Sequence, residues 1–315
     1  MIKKIASFIQ DYLVLNVMIF SALAYLVPFW ALSAAPYLNY FFAVTMFCVG
    51  MLMPKEQVEM LRQKPTRAIS GTAMQFFFMP LLSFLSAWIF RIEGDMRTGI
   101  LIAGAVPGAM ASNLMSLLAG ADVALSVSIT SLSTIVSPVL TPMMLMLYGG
   151  GKLELQFFSM VLSILWMVVI PVIAGYITKT RFEKTIEGLT VYLGAIASIT
   201  IILIVSIVVA SNREHILFSS LSVLAALIVL NFGGYLCGYG GGALLRWNVE
   251  ARKTVALEVG MQNAGLGTVL ALKHFSKDAA IAPAIYTVLC LVTSSILVNF
   301  WEWRMKKSKP GIKEE

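Results

Sequence analysis

Glu258 sits in Leu257-Glu258-Val259-Gly260-Met261-Gln262-Asn263-Ala264-Gly265, where one carboxylate, two side-chain amides and two glycines interrupt an apolar run. In hydrocarbon an ionisable residue at mid-span costs roughly 2.5–3.5 kcal/mol, and each unpaired backbone group costs several more. Glu258 therefore needs compensation. Gly260 and Gly265 flank the amides, the pattern of a helix that stops and restarts and leaves carbonyls and N–H groups free inside the protein. Carboxylate, amides, hydroxyls and freed carbonyls make an all-oxygen setting with one formal negative charge, which suits a hard monovalent cation or a proton. Restarting half-helices also aim positive dipole ends and free N–H groups at the same centre, which favours an anion such as a carboxylate. Cation and anion in one place point to symport.

A second stretch, Pro107-Gly108-Ala109-Met110-Ala111-Ser112-Asn113-Leu114-Met115, has the same character, and its Asn113 lies 150 positions before Asn263 in a chain of 315. One interrupted, amide-bearing span per half is the signature of an internal-repeat transporter. Amides that merely glue helices together remain the competing reading for either stretch alone. Further polar groups fall within spans: Gln75, Asn231 and a stripe of Ser126, Thr130, Ser133 and Ser137 on one helix face. Each of those hydroxyls could line a site or bond back to its own helix.

The elements that position these groups are transmembrane. The chain is 59% hydrophobic and 12% charged, against ~45–50% and ~25% for globular proteins, and its apolar runs lack the alternation of barrel strands. Ten spans are predicted at about 12–32, 36–53, 69–90, 98–118, 123–148, 155–177, 189–210, 216–245, 254–272 and 279–303. The first apolar run is too long for a cleavable signal peptide. Seventeen of the 23 basic residues, among them Lys3, Lys4, Lys55, Arg62, Lys64, Arg67, Lys179, Arg181 and Lys184, fall on one side, against Arg91, Arg97, Lys152, Arg213, Lys273 and Lys277 on the other. This places both termini in the cytoplasm of a multi-pass protein of the cell inner (plasma) membrane. Five spans per half make the repeat inverted, with Gly149-Gly150-Gly151 at the join. The net charge of +7 is spread over short loops, so topology explains it and no nucleic acid is implied. Cys48, Cys237 and Cys290 show no disulfide or metal spacing, and His215 and His274 fall in loops, so no transition metal is expected. Spans one, two, six and seven are plain; polar features gather in spans three to five and eight to ten.

Ala111-Ser112-Asn113, Asp122-Val123-Ala124-Leu125-Ser126, Ser137-Pro138 with Thr141-Pro142, and Glu258-Val259-Gly260-Met261-Gln262-Asn263 together resemble the bile acid:sodium symporter family, closest to its bacterial members and over essentially the whole chain. The resemblance implies an all-α fold of ten transmembrane helices in a 5+5 inverted repeat, with broken, crossing helices four and nine and with panel and core domains. On that division residues 1–67 and 151–213 form the panel, 68–150 and 214–305 the core, and 306–315 a cytoplasmic tail. Carried over by motif, Ser112, Asn113, Ser126, Thr130 and Glu258 resemble the ligands of one sodium ion. Gln75, Glu258, Val259, Met261 and Gln262 resemble those of a second, and no organic cofactor is implied. Met110, Ala111, Asn113, Asn263, Ala264, Cys290 and Leu291 fall at substrate positions.

The expected activity is sodium-coupled symport of an organic anion by alternating access, in a protein that functions as a monomer. Relatives that accept bile acids carry a His-Asn pair where Cys290 and Leu291 stand, and the family's Gly-Thr is replaced by Ala109-Met110. This substrate wall makes a small carboxylate such as pantoate or pyruvate at least as good a candidate as a bile-acid-like steroid. A proton-coupled carboxylate carrier and a non-transporting sensor of the same fold remain alternatives. An enzyme would need a nucleophile with a base or metal ligands, which the spans do not offer.

Overall fold

The computed structural model describes residues 2–53, 65–149, 157–211, 213 and 221–308. Gly150 and Gly151 of the proposed join, Lys55, Arg62, Lys64, Lys152, His215 and residues 309–315 lie outside the described residues.

All regular elements described are helical. The first group is α1 (Ile2–Asp11), α2 (Leu13–Leu26), α3 (Phe29–Ala34) and α4 (Leu38–Leu52), followed by α5 (Pro65–Ile89), α6 (Gly94–Ala105), α7 (Ala111–Leu118) and α8 (Val123–Gly149). The second group is α9 (Phe157–Ile164), α10 (Ile170–Arg181), α11 (Glu183–Ser211), α12 (Leu221–Leu244), α13 (Val249–Gly260), α14 (Ala264–His274) and α15 (Ile281–Ser308). Among the described residues seven helices are long and apolar enough to cross a membrane: Phe29–Leu52, Pro65–Ile89, Val123–Gly149, Phe157–Arg181, Glu183–Ser211, Leu221–Leu244 and Asp278–Arg304. The pair Lys3–Gln10 and Leu15–Leu26, bent by 82°, is an eighth candidate. Large apolar side chains such as Phe29, Phe158 and Leu244 stand exposed on these helices, as expected where the surrounding solvent is lipid. The chain is a multi-span membrane protein.

The predicted first span, 12–32, is corrected: helix α2 stops at Leu26, and Phe29 already belongs to the next span. Val27 leaves the helical conformation (φ −127, ψ 79) because it precedes Pro28, whose ring disfavours helix at that position. The residues ahead of that span are helical as well. Helix α1 is amphipathic and docks on α11, where Gln10 Nε2 donates to Val191 O at 2.6 Å.

Two further helix pairs are each interrupted by a few residues. Helix α6 ends at Ala105 because Val106 (ψ 161) precedes Pro107, and α7 restarts at Ala111. Helix α13 ends at Gly260, Met261 is extended (φ −104, ψ 111), and Asn263 caps α14 by accepting from Leu266 N at 3.2 Å. The two interruptions pair with each other in antiparallel fashion. Ala109 N donates to Met261 O at 3.0 Å, and Asn263 N donates to Pro107 O at 2.8 Å. This exchange matches 107 with 261 and 109 with 263, an offset of 154 positions. Asn263 is thus the counterpart of Ala109, whereas Asn113 lies one turn further along, inside α7. The helix ends show a similar offset, 155: two residues beyond α5 and α12 stands an arginine with positive φ, Arg91 and Arg246, followed by buried Ile92 and Trp247.

Helices α2, α4, α10 and α11 pack on one another, and α5, α6, α8, α12, α13 and α15 form a second set. Between the sets, α14 rests on α4, α9 and α11.

Candidate functional site

Glu258 comes from the last turn of α13 and is fully buried. Ser112 Oγ from α7 and Ser126 Oγ from α8 each donate to Oε1 at 2.5 Å, and Thr130 Oγ1 donates to Oε2 at 2.8 Å. Asn113 Oδ1 accepts from Ser126 Oγ at 2.9 Å and from Thr130 Oγ1 at 3.3 Å. All five residues predicted for the first ion site thus meet around one carboxylate. Two of these hydroxyls also reach main-chain oxygens, Ser112 at Ala109 O (2.6 Å) and Thr130 at Ser126 O (2.9 Å). Three hydroxyl hydrogens therefore face five acceptors, namely both Glu258 oxygens, Asn113 Oδ1, Ala109 O and Ser126 O. A hydroxyl has one proton to donate but two lone pairs to offer. Acceptors in excess of protons at a buried anion are what an oxygen cage for a cation looks like.

The hydroxyl stripe divides at this point. Ser126 and Thr130 reach Glu258, whereas Ser133 Oγ donates to Thr130 O at 3.0 Å and Ser137 Oγ to Thr134 O at 2.8 Å, each satisfied by its own helix.

The residues predicted for the second ion site gather around the break. Gln75 from α5 and Gln262 are buried, and Gln75 Nε2 lies 3.4 Å from Gln262 Oε1 and 3.5 Å from Val106 O. Gln262 Nε2 donates to Val259 O at 2.7 Å, and Met261 O takes the Ala109 N–H. Gln75 Oε1 is buried with no hydrogen-bond partner among the described residues, an orphaned acceptor of the kind an ion would satisfy. Gly108 passes so close that a Cβ there would meet Glu258 Oε2 at 3.2 Å and the Gln75 amide at 3.5 Å. That contact, invisible as a motif, makes the first break part of the site. Sodium fits this donor set of carboxylate, amide, hydroxyl and carbonyl oxygens. No cluster of His, Cys, Asp and Glu suited to another metal occurs among the described residues.

A cavity of about 110 Å³ adjoins the paired breaks. Met110, Ala111, Asn263, Ala264, Cys290 and Leu291, six of the predicted substrate positions, line one side, and Thr45, Met46 and Ile204 of α4 and α11 line the other. Asn113, predicted for both roles, is absent from this lining and belongs to the hydroxyl cluster. The first turns of α7 and α14 reach the cavity, bringing the positive ends of two helices to it. His274 is no loose loop residue: it ends α14, and its Nε2 lies 2.9 Å from Ser163 Oγ of α9.

Sequence reasoning passed over the tyrosines. Tyr286 OH donates to Gly260 O at 2.8 Å, and Tyr235 OH to Cys290 O at 3.2 Å, from positions that read as apolar aromatics within spans. The buried Asn231 was the available signal, since an amide there requires partners.

Comparison with known proteins adds a family. The model of the sodium bile acid symporter family matches residues 40–219. The chain is 35% identical over 312 residues to YocS of Bacillus subtilis, named an uncharacterized sodium-dependent transporter, covering 99% of this chain and 97% of that protein. It is 28% identical over 259 residues to the chloroplast protein BASS1 of Arabidopsis thaliana, named a probable sodium/metabolite cotransporter. It is also 28% identical over 253 residues to mouse sodium/bile acid cotransporter 4. These alignments cover 82% and 77% of this chain but 65% and 58% of the two relatives.

Proposed function

The chain belongs to the sodium bile acid symporter family, and on that premise we propose that this membrane transporter couples the inward movement of sodium ions to symport of a small organic anion by alternating access. The observation that carries the reading is the acceptor surplus around Glu258, joined by the orphaned Gln75 oxygen. Two sodium ions share the carboxylate, one among Ser112, Asn113, Ser126 and Thr130, the other among Gln75, Val259, Met261 and Gln262. The charge of each ion offsets a buried negative group that would otherwise cost several kcal/mol. Glu258 links the two, so sodium binding fixes both breaks.

The anion occupies the cavity beside them. Asn263 Oδ1 caps α14, which leaves its Nδ2 to donate together with the N–H groups of the restarting helices. A cavity of about 110 Å³ is small beside the ~300–1,000 Å³ that hold drug-sized ligands, and this favours a small carboxylate such as pantoate or pyruvate over a steroid.

Counting the broken pairs α6–α7 and α13–α14 as one span each, with the bent first pair, brings the helices to the ten of an inverted repeat. The antiparallel exchange between the breaks supports a pseudo-two-fold relation. The packing of α2, α4, α10 and α11 on one another, and of α5, α6, α8, α12, α13 and α15 on one another, supports a division into a panel (α1–α4, α9–α11) and a core (α5–α8, α12–α15) that move against each other. Contact of α14 with the panel closes one end, while α7 and α13 pack within the core. With both termini cytoplasmic, that is an inward-facing state. The test is uptake of labelled pantoate and pyruvate into proteoliposomes. Sodium-driven accumulation supports the proposal, and accumulation that follows a proton gradient in sodium-free buffer overturns it.

A further inference from the structure

The carbonyl of Gly260 belongs to the peptide chain between the proposed sodium ligands Val259 and Met261, at the point where α13 ends. It is held by two side chains that are not among the proposed ion ligands. Asn231 Nδ2 donates to it at 2.9 Å and Tyr286 OH at 2.8 Å, and both side chains are fully buried. The grip is itself supported: Thr293 Oγ1 donates to Asn231 Oδ1 at 2.6 Å, and Tyr235 OH lies 3.1 Å from Thr293 Oγ1. Tyr235 also packs its ring where a Cβ on residue 260 would stand, so glycine is required for this approach. A helix end leaves carbonyls without intrahelical partners, and two donors aimed at one of them fix the orientation of the whole peptide. The neighbouring carbonyls of Val259 and Met261 are thereby fixed as well.

Helix α15 carries both ends of this arrangement. Tyr286 and Thr293 hold the break, while Thr287, Cys290 and Leu291 between them line the cavity. We propose that Asn231 and Tyr286 are positioning residues for the second sodium site, acting through the Gly260 carbonyl, and that they tie this site to the cavity wall. The proposal rests on the sodium-site reading above. Partners one step removed from a metal ligand typically change metal affinity by about 10–100-fold when lost.

The experiment compares full-length wild type, Tyr286→Phe, Asn231→Leu and Glu258→Gln in detergent. Each is melted across a sodium chloride titration, with choline chloride keeping ionic strength constant. Loss of either donor is expected to raise the sodium concentration at half-maximal stabilisation about tenfold. A residue that only packs would lower the melting temperature equally in both salts and leave that midpoint in place. Unchanged midpoints in Tyr286→Phe and Asn231→Leu, with the sodium response lost in Glu258→Gln, overturn this proposal and leave the sodium sites standing. A wild-type response in Glu258→Gln instead overturns the sodium-site reading beneath it. Tyr286→Phe removes one hydroxyl and keeps the ring, so it remains testable even if Asn231→Leu does not fold.

Discussion

Replacing Glu258 with Gln keeps the shape of the side chain and removes the charge that both proposed ions share. At about 4 Å and an effective dielectric of about 20, a pair of unit charges interacts by about 4 kcal/mol, so sodium affinity is expected to fall on the order of a thousandfold. Two other effects oppose each other in the ion-free protein. The hydroxyls of Ser112, Ser126 and Thr130 lose charge-assisted bonds, while the desolvation of a buried carboxylate, several kcal/mol, is relieved. The melting temperature in choline chloride is therefore expected to move little. At a sodium concentration 100 times the dissociation constant, wild type gains about 2.7 kcal/mol, whereas a thousandfold weaker variant gains about 0.1 kcal/mol or less. Melting purified protein in sodium against choline chloride reads this difference directly. A wild-type sodium increment in Glu258→Gln would show that the carboxylate is a packing group and that the two-site reading is wrong.

Gly108→Ala sets a methyl 3.2 Å from Glu258 Oε2; about a tenfold loss of sodium affinity is expected in the same melts, and an unchanged response would separate Gly108 from the ion. Asn263→Ala removes both a cap and a cavity donor, at about 1 kcal/mol of stability; titration with pantoate should show weaker binding while the sodium increment persists, and loss of that increment instead would move Asn263 to the ion site. Single cysteines in the loop holding Arg62 and in the C-terminal tail should resist an impermeant thiol reagent in intact cells; strong labelling of either would invert the topology.

The centre of the site was legible because hydrocarbon tolerates few charges. Glu258 in an apolar run already demanded partners, and Ser112, Ser126 and Thr130 provide them. The breaks were legible from Pro107 and from Gly260 with its adjoining amides. The register between halves was not: amide-to-amide spacing suggests 150, while the backbone exchange gives 154, because side-chain type does not report which residue of a turn is unwound. Ser133 and Ser137 share a face with Ser126 but bond their own helix, a choice that periodicity cannot make. Tyr286 was hidden for a related reason, since its ring suits an apolar span and its hydroxyl matters only once Gly260 is beside it.

The pairing of the two breaks also bears on how the protein is made. Pro107 O and Ala109 N find their partners in Asn263 N and Met261 O, which leave the ribosome 156 and 152 residues later. Throughout that interval the first half sits in the bilayer with an unwound segment whose polar backbone is incomplete, at several kcal/mol for each unsatisfied group. Fragments that end before Met261 should accordingly be short-lived in cells, and a separately expressed second half should rescue them, because each break supplies what the other lacks. A first half that accumulates stably by itself would show that water or lipid headgroups shelter the open break during synthesis.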